Sequence, residues 1–506
     1  MRIQQFWTAL GLSAAVAMGA ACADSLTDVN VNPNAPETAP EPTLFVNATR
    51  VATSRWLGNA SLRQYELLAQ HLAEVQYPET DAYQRLTGPS TEGNFNGAYS
   101  GELRDLQVVI ENGRAGNNPG YWAPALVVRT WSYGIITDLW GNVPYTQALR
   151  GDSAVIQPAY DTQETIYPML FAALDSAVTA LSGTTGLSLG ASDPIYGTLP
   201  AASQRAAWQR FANSLRARHA LRIVNVNPTL ASQQLTAAFS APGGVFDTNA
   251  QMAVLNWPGN GVYNNPWQVN FQTRDDHRVS TRLMSLLQGM SDPRLPVYAQ
   301  PAESDGQYRG LENALTHAQA SAQMTTTSKP GTRLYSPSQP AYLLTAAEVK
   351  FIQAEAAERS LGGLAPGQAA GFYEQGIRLS MEQWGVTGAA VDAYLARPDV
   401  AYQPGTEGLR RIARQKWIAL YTDGVQAWSE WRRTCVPSTV RPGPTATQNT
   451  VPRRLQYGPL EKTVNAANVE AAIALLGGGD LFTTRMWWDT SPTAAPTFVA
   501  GCGERS

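Results

Sequence analysis

Bond-making chemistry by side chains needs a nucleophile beside a base, paired carboxylates across a bond, or a cluster of metal ligands. The four histidines of this 506-residue chain, His71, His219, His277 and His317, are scattered without HExxH or any paired spacing. No metal site and no cofactor are therefore expected. The chain has no GxSxG elbow, phosphate-binding loop or GxGxxG turn. Its one compact polar cluster, Asp275-Asp276-His277, lacks a nucleophile and reads as a solvated turn. Two carboxylates of a glycoside hydrolase stay open as an alternative, because their spacing is spatial and not sequential.

The chemistry that the residue types do support is non-covalent. Flat aromatic faces stack on pyranose C–H groups, while amides hydrogen-bond hydroxyls. Two stretches combine both. The first holds Tyr77, Tyr83, Asn94, Phe95 and Tyr99, and the second Trp257, Asn260, Tyr263, Asn264, Asn265, Trp267 and Asn270. Such composition also suits well-packed irregular structure, so both readings stand at this point.

One covalent modification is suggested at the N-terminus. Arg2 precedes an uncharged, mostly apolar run over 6–21, shorter than a membrane-spanning helix of ~20 residues. Small residues then lead into Cys22, as in a bacterial lipobox, although Gly19 stands where Leu or a similar residue is usual. Residues 1–21 are expected to be an export signal and Cys22 the lipid attachment point. An ordinary signal with an A-x-A-like cleavage site is the alternative. Residues 22–42, rich in Asn, Pro and Asp, read as a tether. The other two cysteines, Cys435 and Cys502, are either one pair or two free thiols.

The elements that must position these residues are mainly helical. Composition is globular, with 44% hydrophobic and 15% charged residues, and the formal charge of −3 excludes the basic field a nucleic-acid partner requires. Helical periodicity is expected over 43–85, 101–112, 121–139, 162–181, 201–223, 345–359, 372–384 and 409–421, with a loop over 77–100. Thr345 and Glu348 form a capping-box pattern. Over 228–342, prolines, glycines and asparagines replace the long periodic runs, so this region is expected to be irregular and loop-rich. The fold class is thus mainly α, built of helix pairs around a long irregular insertion. The stretch 412–437, with Trp417, Trp428 and Trp431, reads as a core helix pair.

Several stretches taken in order resemble the SusD/RagB family of outer-membrane nutrient-binding lipoproteins, in its SusD-like branch. They are the "NPN" start within 28–34, TDLWGNVPY at 137–145, PAYDTQETIY at 158–167, and WQRFANSLRARHALR at 208–222. LTAAEVKFIQAEAAE at 344–358, the QKW…WSEWRRT stretch within 412–437, 452–455 and 487–489 complete the set. The resemblance implies a tetratricopeptide-like scaffold over 43–227 and 343–435, with a loop-rich region over 228–342. A C-terminal segment over 436–506 completes one domain spanning 43–506. It also implies a lipid-anchored, non-enzymatic protein of the outer membrane, facing the cell surface. Such a protein passes glycans or peptides to a SusC-like TonB-dependent transporter. The alternatives are an exported glycoside hydrolase and a periplasmic helical-repeat scaffold. Cys435 stands where the family usually has glycine, and with Cys502 the other lone cysteine of an exported chain, a Cys435–Cys502 disulfide is expected. If Cys22 carries the lipid, radiolabelled palmitate enters the wild type and Cys22→Ala abolishes the label. Unlabelled, soluble wild type would sink the lipoprotein reading.

Overall fold

Thr162 accepts the backbone N–H of Thr165, and a helix runs from there to Leu181 with Ile166, Leu170, Leu174 and Leu181 buried. Each of those side chains contributes roughly 1.5–3 kcal/mol by leaving water, before conformational entropy is counted. The same logic repeats along the chain. The computed structural model describes residues 39–490 and 502–505, apart from Arg85, Thr87, Gly88, Asp152, Ser153, Thr184 and Thr185. The expected export signal, Cys22 and most of the tether lie outside the described residues.

The helices that build the scaffold are α1 (Glu41–Ser54), α2 (Pro89–Ser100), α3 (Glu102–Ala115), α4 (Pro119–Trp140), α5 (Gln163–Leu181), α6 (Ala201–Arg222) and α7 (Pro228–Ser240). After the loop-rich region, which carries α8 (Pro266–Phe271) and α9 (His317–Ser321), come α10 (Ala346–Glu358), α11 (Ala369–Gln383), α12 (Thr406–Ala419) and α13 (Gly424–Thr434). Consecutive helices pack as pairs: α3 on α4, α4 on α5, α5 on α6, α6 on α7, and α10 on α11. Contacts of α6 with α10 join the two halves, giving one tetratricopeptide-like helical scaffold. Strands are short. β1 (Leu72–Glu74) pairs antiparallel with β3 (His277–Val279), and β2 (Ala253–Leu255) with β4 (Ala341–Leu344).

Five departures from the sequence reading stand out. The helix expected over 43–85 breaks after Ser54 into two π-type turns and ends at Gln70, whose φ of 59° is left-handed. Leu72, expected on a helix face, lies in β1, and Val75 follows it: a short apolar run fits a buried strand as well as a helix. The loop expected over 77–100 is helical from Pro89. Gly97 in α2 is there for a close approach, since a Cβ would lie 2.8 Å from Nη1 of Arg55, which is paired to Glu102. Helix also extends past 228 into α7. Finally, the capping box is half formed. Thr345 accepts the N–H of Glu348, but the Glu348 carboxylate is held by the buried Arg218 (Nε to Oε1, 2.8 Å).

The centre of the molecule is a chain of buried charges. Arg433 forks onto Glu355 at 2.7 and 2.6 Å and also donates to Glu430. Lys416 donates to Glu430 at 3.1 Å, and Arg222 donates to Asp138 at 3.1 Å. Arg432 lies over the ring of Trp428 at 3.8 Å and donates to the carbonyls of Asp138 and Arg453. Against the lift that burial gives, Arg433 and Lys416 hold Glu430 well below the usual carboxylate range. Its contribution is therefore present at neutral pH and is lost only in strong acid. Glu430→Gln leaves three buried cations, Arg433, Lys416 and Arg222, short of a partner. Chemical denaturation is expected to show a loss of about 3–5 kcal/mol, and a change below 1 kcal/mol would mean that the network tolerates the vacancy.

A candidate ligand-binding face

The two aromatic clusters expected from sequence do not survive as open surfaces. Tyr83 and Phe95 are buried, Phe95 against Trp140 with ring centroids 5.1 Å apart. Tyr99 is half-buried, donates its hydroxyl to the carbonyl of Pro144 and packs on Phe95. Asn94 is half-buried beside Tyr65. Trp257 and Trp267 are both buried, and the Trp267 indole N–H is spent on the carbonyl of Leu57 at 3.1 Å. They line a small cavity with Leu57, Gln339 and Tyr342, with room for about one water. Asn265 caps α8 by accepting the N–H of Trp267, and Asn270 is buried. These positions hold the fold together; helix formation in α2 and α8 turned Phe95 and Trp267 inward.

Two aromatics of the clusters do face outward. Tyr263 is 45% exposed, and Arg50 lies over its ring at 5.0 Å. It is raised on a turn in which Asn260 accepts the N–H groups of Val262 and Tyr263 and Asn264 accepts that of Gly261. Tyr77 is 41% exposed, with the guanidinium of Arg274 5.3 Å from its centroid. A cation on one ring face fixes the tyrosine and leaves the rest of the ring available.

Tyr77 stands on the β1–β3 ladder. The register Glu74↔His277 and the bond from Val75 N–H to the Asp276 carbonyl at 2.6 Å bring 74–77 alongside 274–277. Beside Tyr77, Gln76 meets His317 of α9 at 3.3 Å, and Ser321 reaches the same imidazole. On the other flank Phe271 stacks on Tyr335 at 4.4 Å and touches His277 at 5.9 Å. Below lies a node built on Asp81. Its carboxylate accepts from Asn313 at 2.7 Å, from Ala314 N–H at 3.0 Å and from Glu74 N–H at 3.2 Å. Asn313 in turn donates to the Leu72 carbonyl at 2.8 Å.

The expected solvated turn at 275–277 is a correction as well. Asp276 and His277 are buried, because pairing in β3 draws the chain inward. His277 Nε2 lies 3.2 Å from a Glu74 oxygen. Burial, with Arg63 and Arg278 nearby, pushes the imidazole down to about 3, while burial, with Asp276 and Asp81 nearby, lifts Glu74 well above its usual range. Burial thus disfavours the charged form of both partners in this contact. Arg274, Gln76, His317, Phe271 and Tyr335 were missed in sequence. The dense run of ionisable residues over 274–278 was the available signal. Among the described residues no group of three or more His, Cys, Asp or Glu side chains is placed to hold a metal ion, and no helix is long and apolar enough to cross a membrane.

A family model described as "Starch-binding associating with outer membrane", of the SusD-like group, matches residues 33–458. A solved chitin-binding protein is 25% identical, with TM-score 0.77, over 89% of this chain and all of its own. A chitin-binding SusD homologue from Flavobacterium johnsoniae is 26% identical, with TM-score 0.76, over 89% of this chain and 98% of its own. A SusD homologue from Bacteroides uniformis is 26% identical, with TM-score 0.74, over 88% and 99%. No curated protein sequence matches the chain.

The neutral His277 sets a pH dependence. The unfolded chain takes up this proton near 6.5 and the folded protein only near 3, so stability is full above 6.5 and falls as pH drops between those values. The slope approaches ~1.4 kcal/mol per pH unit for this one group. Thermal midpoints measured from pH 7 to 4 should fall less steeply for His277→Gln than for the wild type; equal slopes would mean His277 is not the group taking up the proton.

Proposed function

The chain belongs to the SusD-like family, and from that premise we propose that it is a non-catalytic outer-membrane receptor that binds a glycan at the Tyr77 face. The observation that carries the reading is the exposed Tyr77 ring, held by Arg274 on the β1–β3 ladder beside Gln76 and His317. A ring face for pyranose C–H groups next to amide and imidazole nitrogens is the pairing that sugar recognition needs. Tyr263, raised on its own turn, is a second stacking platform. The chitin-binding relatives make N-acetylated β-glucans the first ligands to try, with starch fragments and peptides next.

On this reading Cys22 carries the lipid that holds the protein at the outer membrane, facing outward. The captured glycan passes to a SusC-like TonB-dependent transporter, and the receptor makes or breaks no bond. It uses no cofactor. Glu74 and Asp81 under the face are buried and engaged with the backbone and His277, and Asp276 is paired to Arg274, which favours this division of labour. Calorimetric titration of oligosaccharide panels is the test. Tyr77→Ala is expected to weaken the best ligand about fivefold, the scale of one aromatic contact of ~1 kcal/mol. Unchanged affinity would remove the Tyr77 face, and shortened oligosaccharides after incubation would replace the receptor reading with a hydrolase.

A further inference from the structure

We propose that the C-terminal segment 502–505 positions the ligand face, with the Cys435–Cys502 disulfide and Arg505 as its fasteners. The inference rests on the Tyr77 face being the ligand site. Its starting point is Cys435, the residue that ends α13 in the left-handed region, with φ 59° and its N–H on the carbonyl of Trp431. Glycine is the favoured residue at such a helix end, and a side chain there carries a conformational cost. The side chain is used, however: Cys435 and Cys502 are joined with Cα atoms 5.8 Å apart.

From Cys502 the segment is laid along 449–451. Gly503 accepts the N–H of Val451 at 2.8 Å and lies so close to Trp431 that a Cβ would be 2.7 Å from its ring. Glu504 bridges to Thr450, and the N–H of Arg505 reaches the carbonyl of Asn449 at 2.8 Å. The Arg505 guanidinium then donates to the carbonyls of Pro444 at 3.0 Å and Ala446 at 2.5 Å. This gathers the loop 444–448 under one cation.

That loop holds the underside of the ligand face. Thr447 N–H donates to the carbonyl of Ala82 at 2.9 Å, and Thr445 donates to the carbonyl of Ala314 through its N–H at 3.0 Å and its hydroxyl at 2.8 Å. Ala82 and Ala314 flank the Asp81–Asn313 node that carries Glu74 and β1. A little earlier, Arg441 and Gln70 exchange two hydrogen bonds at 2.6 and 3.2 Å at the turn just before β1. The path from the disulfide to the Asp81 node is a set of hydrogen bonds joined by short stretches of backbone, and the chain itself runs on from Glu74 to Tyr77. Releasing the segment withdraws Gly503 from the Trp431 ring of α13, frees the carbonyls of 444–448 and loosens the node.

The test is hydrogen exchange on the full chain without ligand, comparing wild type with Arg505→Ala and with the double variant Cys435→Gly, Cys502→Ser. Glycine restores the residue favoured at the left-handed position, so that variant is expected to fold. In both, the Glu74 and Ala314 amides held by Asp81 should exchange about tenfold faster, with α5 unchanged. Affinity for the best glycan should fall severalfold in both, at an almost constant thermal midpoint for Arg505→Ala and at a lowered one for the double variant, which opens a loop of 67 residues. Faster exchange confined to 443–451 and 502–505 would overturn the proposal. Because exchange is read without ligand, it decides the matter even for a protein that binds no glycan in the panel, a result that would count against the receptor reading alone.

Discussion

A guanidinium taken out of water must find partners within the protein, because leaving one unpaired costs several kcal/mol. This chain buries many: Arg218, Arg222, Arg278, Arg294, Arg432, Arg433, Arg453 and Arg454. Each fixes the relative placement of elements far apart in sequence. Arg218 ties α6 to α10 through Glu348, Arg433 ties α13 to α10 through Glu355, and Arg222 ties α6 to α4 through Asp138. Replacing such pairs with apolar residues is often neutral for stability, so their use here is to specify register. A helix slid by one residue would strand a charge.

This constraint explains which parts of the fold were legible. Helices whose buried stripe is largely apolar, such as α5, announce themselves by three- and four-residue steps, and their ends fall within a few residues of expectation. In α6 the stripe is harder to see, since Arg218 and Arg222 are as buried as Trp208 and Phe211. Of its five arginines, Arg218 and Arg222 are drawn inward by partners on α10, α13 and α4. The half-formed capping box has the same origin: Glu348 serves a guanidinium from another helix instead of its own N-terminus.

The candidate ligand face was the least legible part. Aromatic and amide composition located both neighbourhoods but could not say which rings point out. Of Tyr77, Tyr83, Phe95 and Tyr99, only Tyr77 is substantially exposed; Phe95 and Tyr99 lie on a helix that glycine-rich sequence disguised as a loop, and Tyr83 is buried beside Gln70. Trp257 and Trp267, the strongest stacking candidates by type, are core residues for the ordinary reason that large apolar rings bury well. Arg274 and His317 gain meaning only from the β1–β3 pairing, which no local pattern encodes.

That pairing also bears on how the molecule comes into being. Its strands lie roughly two hundred residues apart, so closing them carries a loop entropy that local helix pairs avoid. Contacts of such separation form slowly and late. Helix pairs can collapse early on their own neighbours, whereas the surface around Tyr77 exists only after distant segments have met. The chain would therefore acquire its helices first and the surface around Tyr77 last, so that an intact Tyr77 surface reports completed folding.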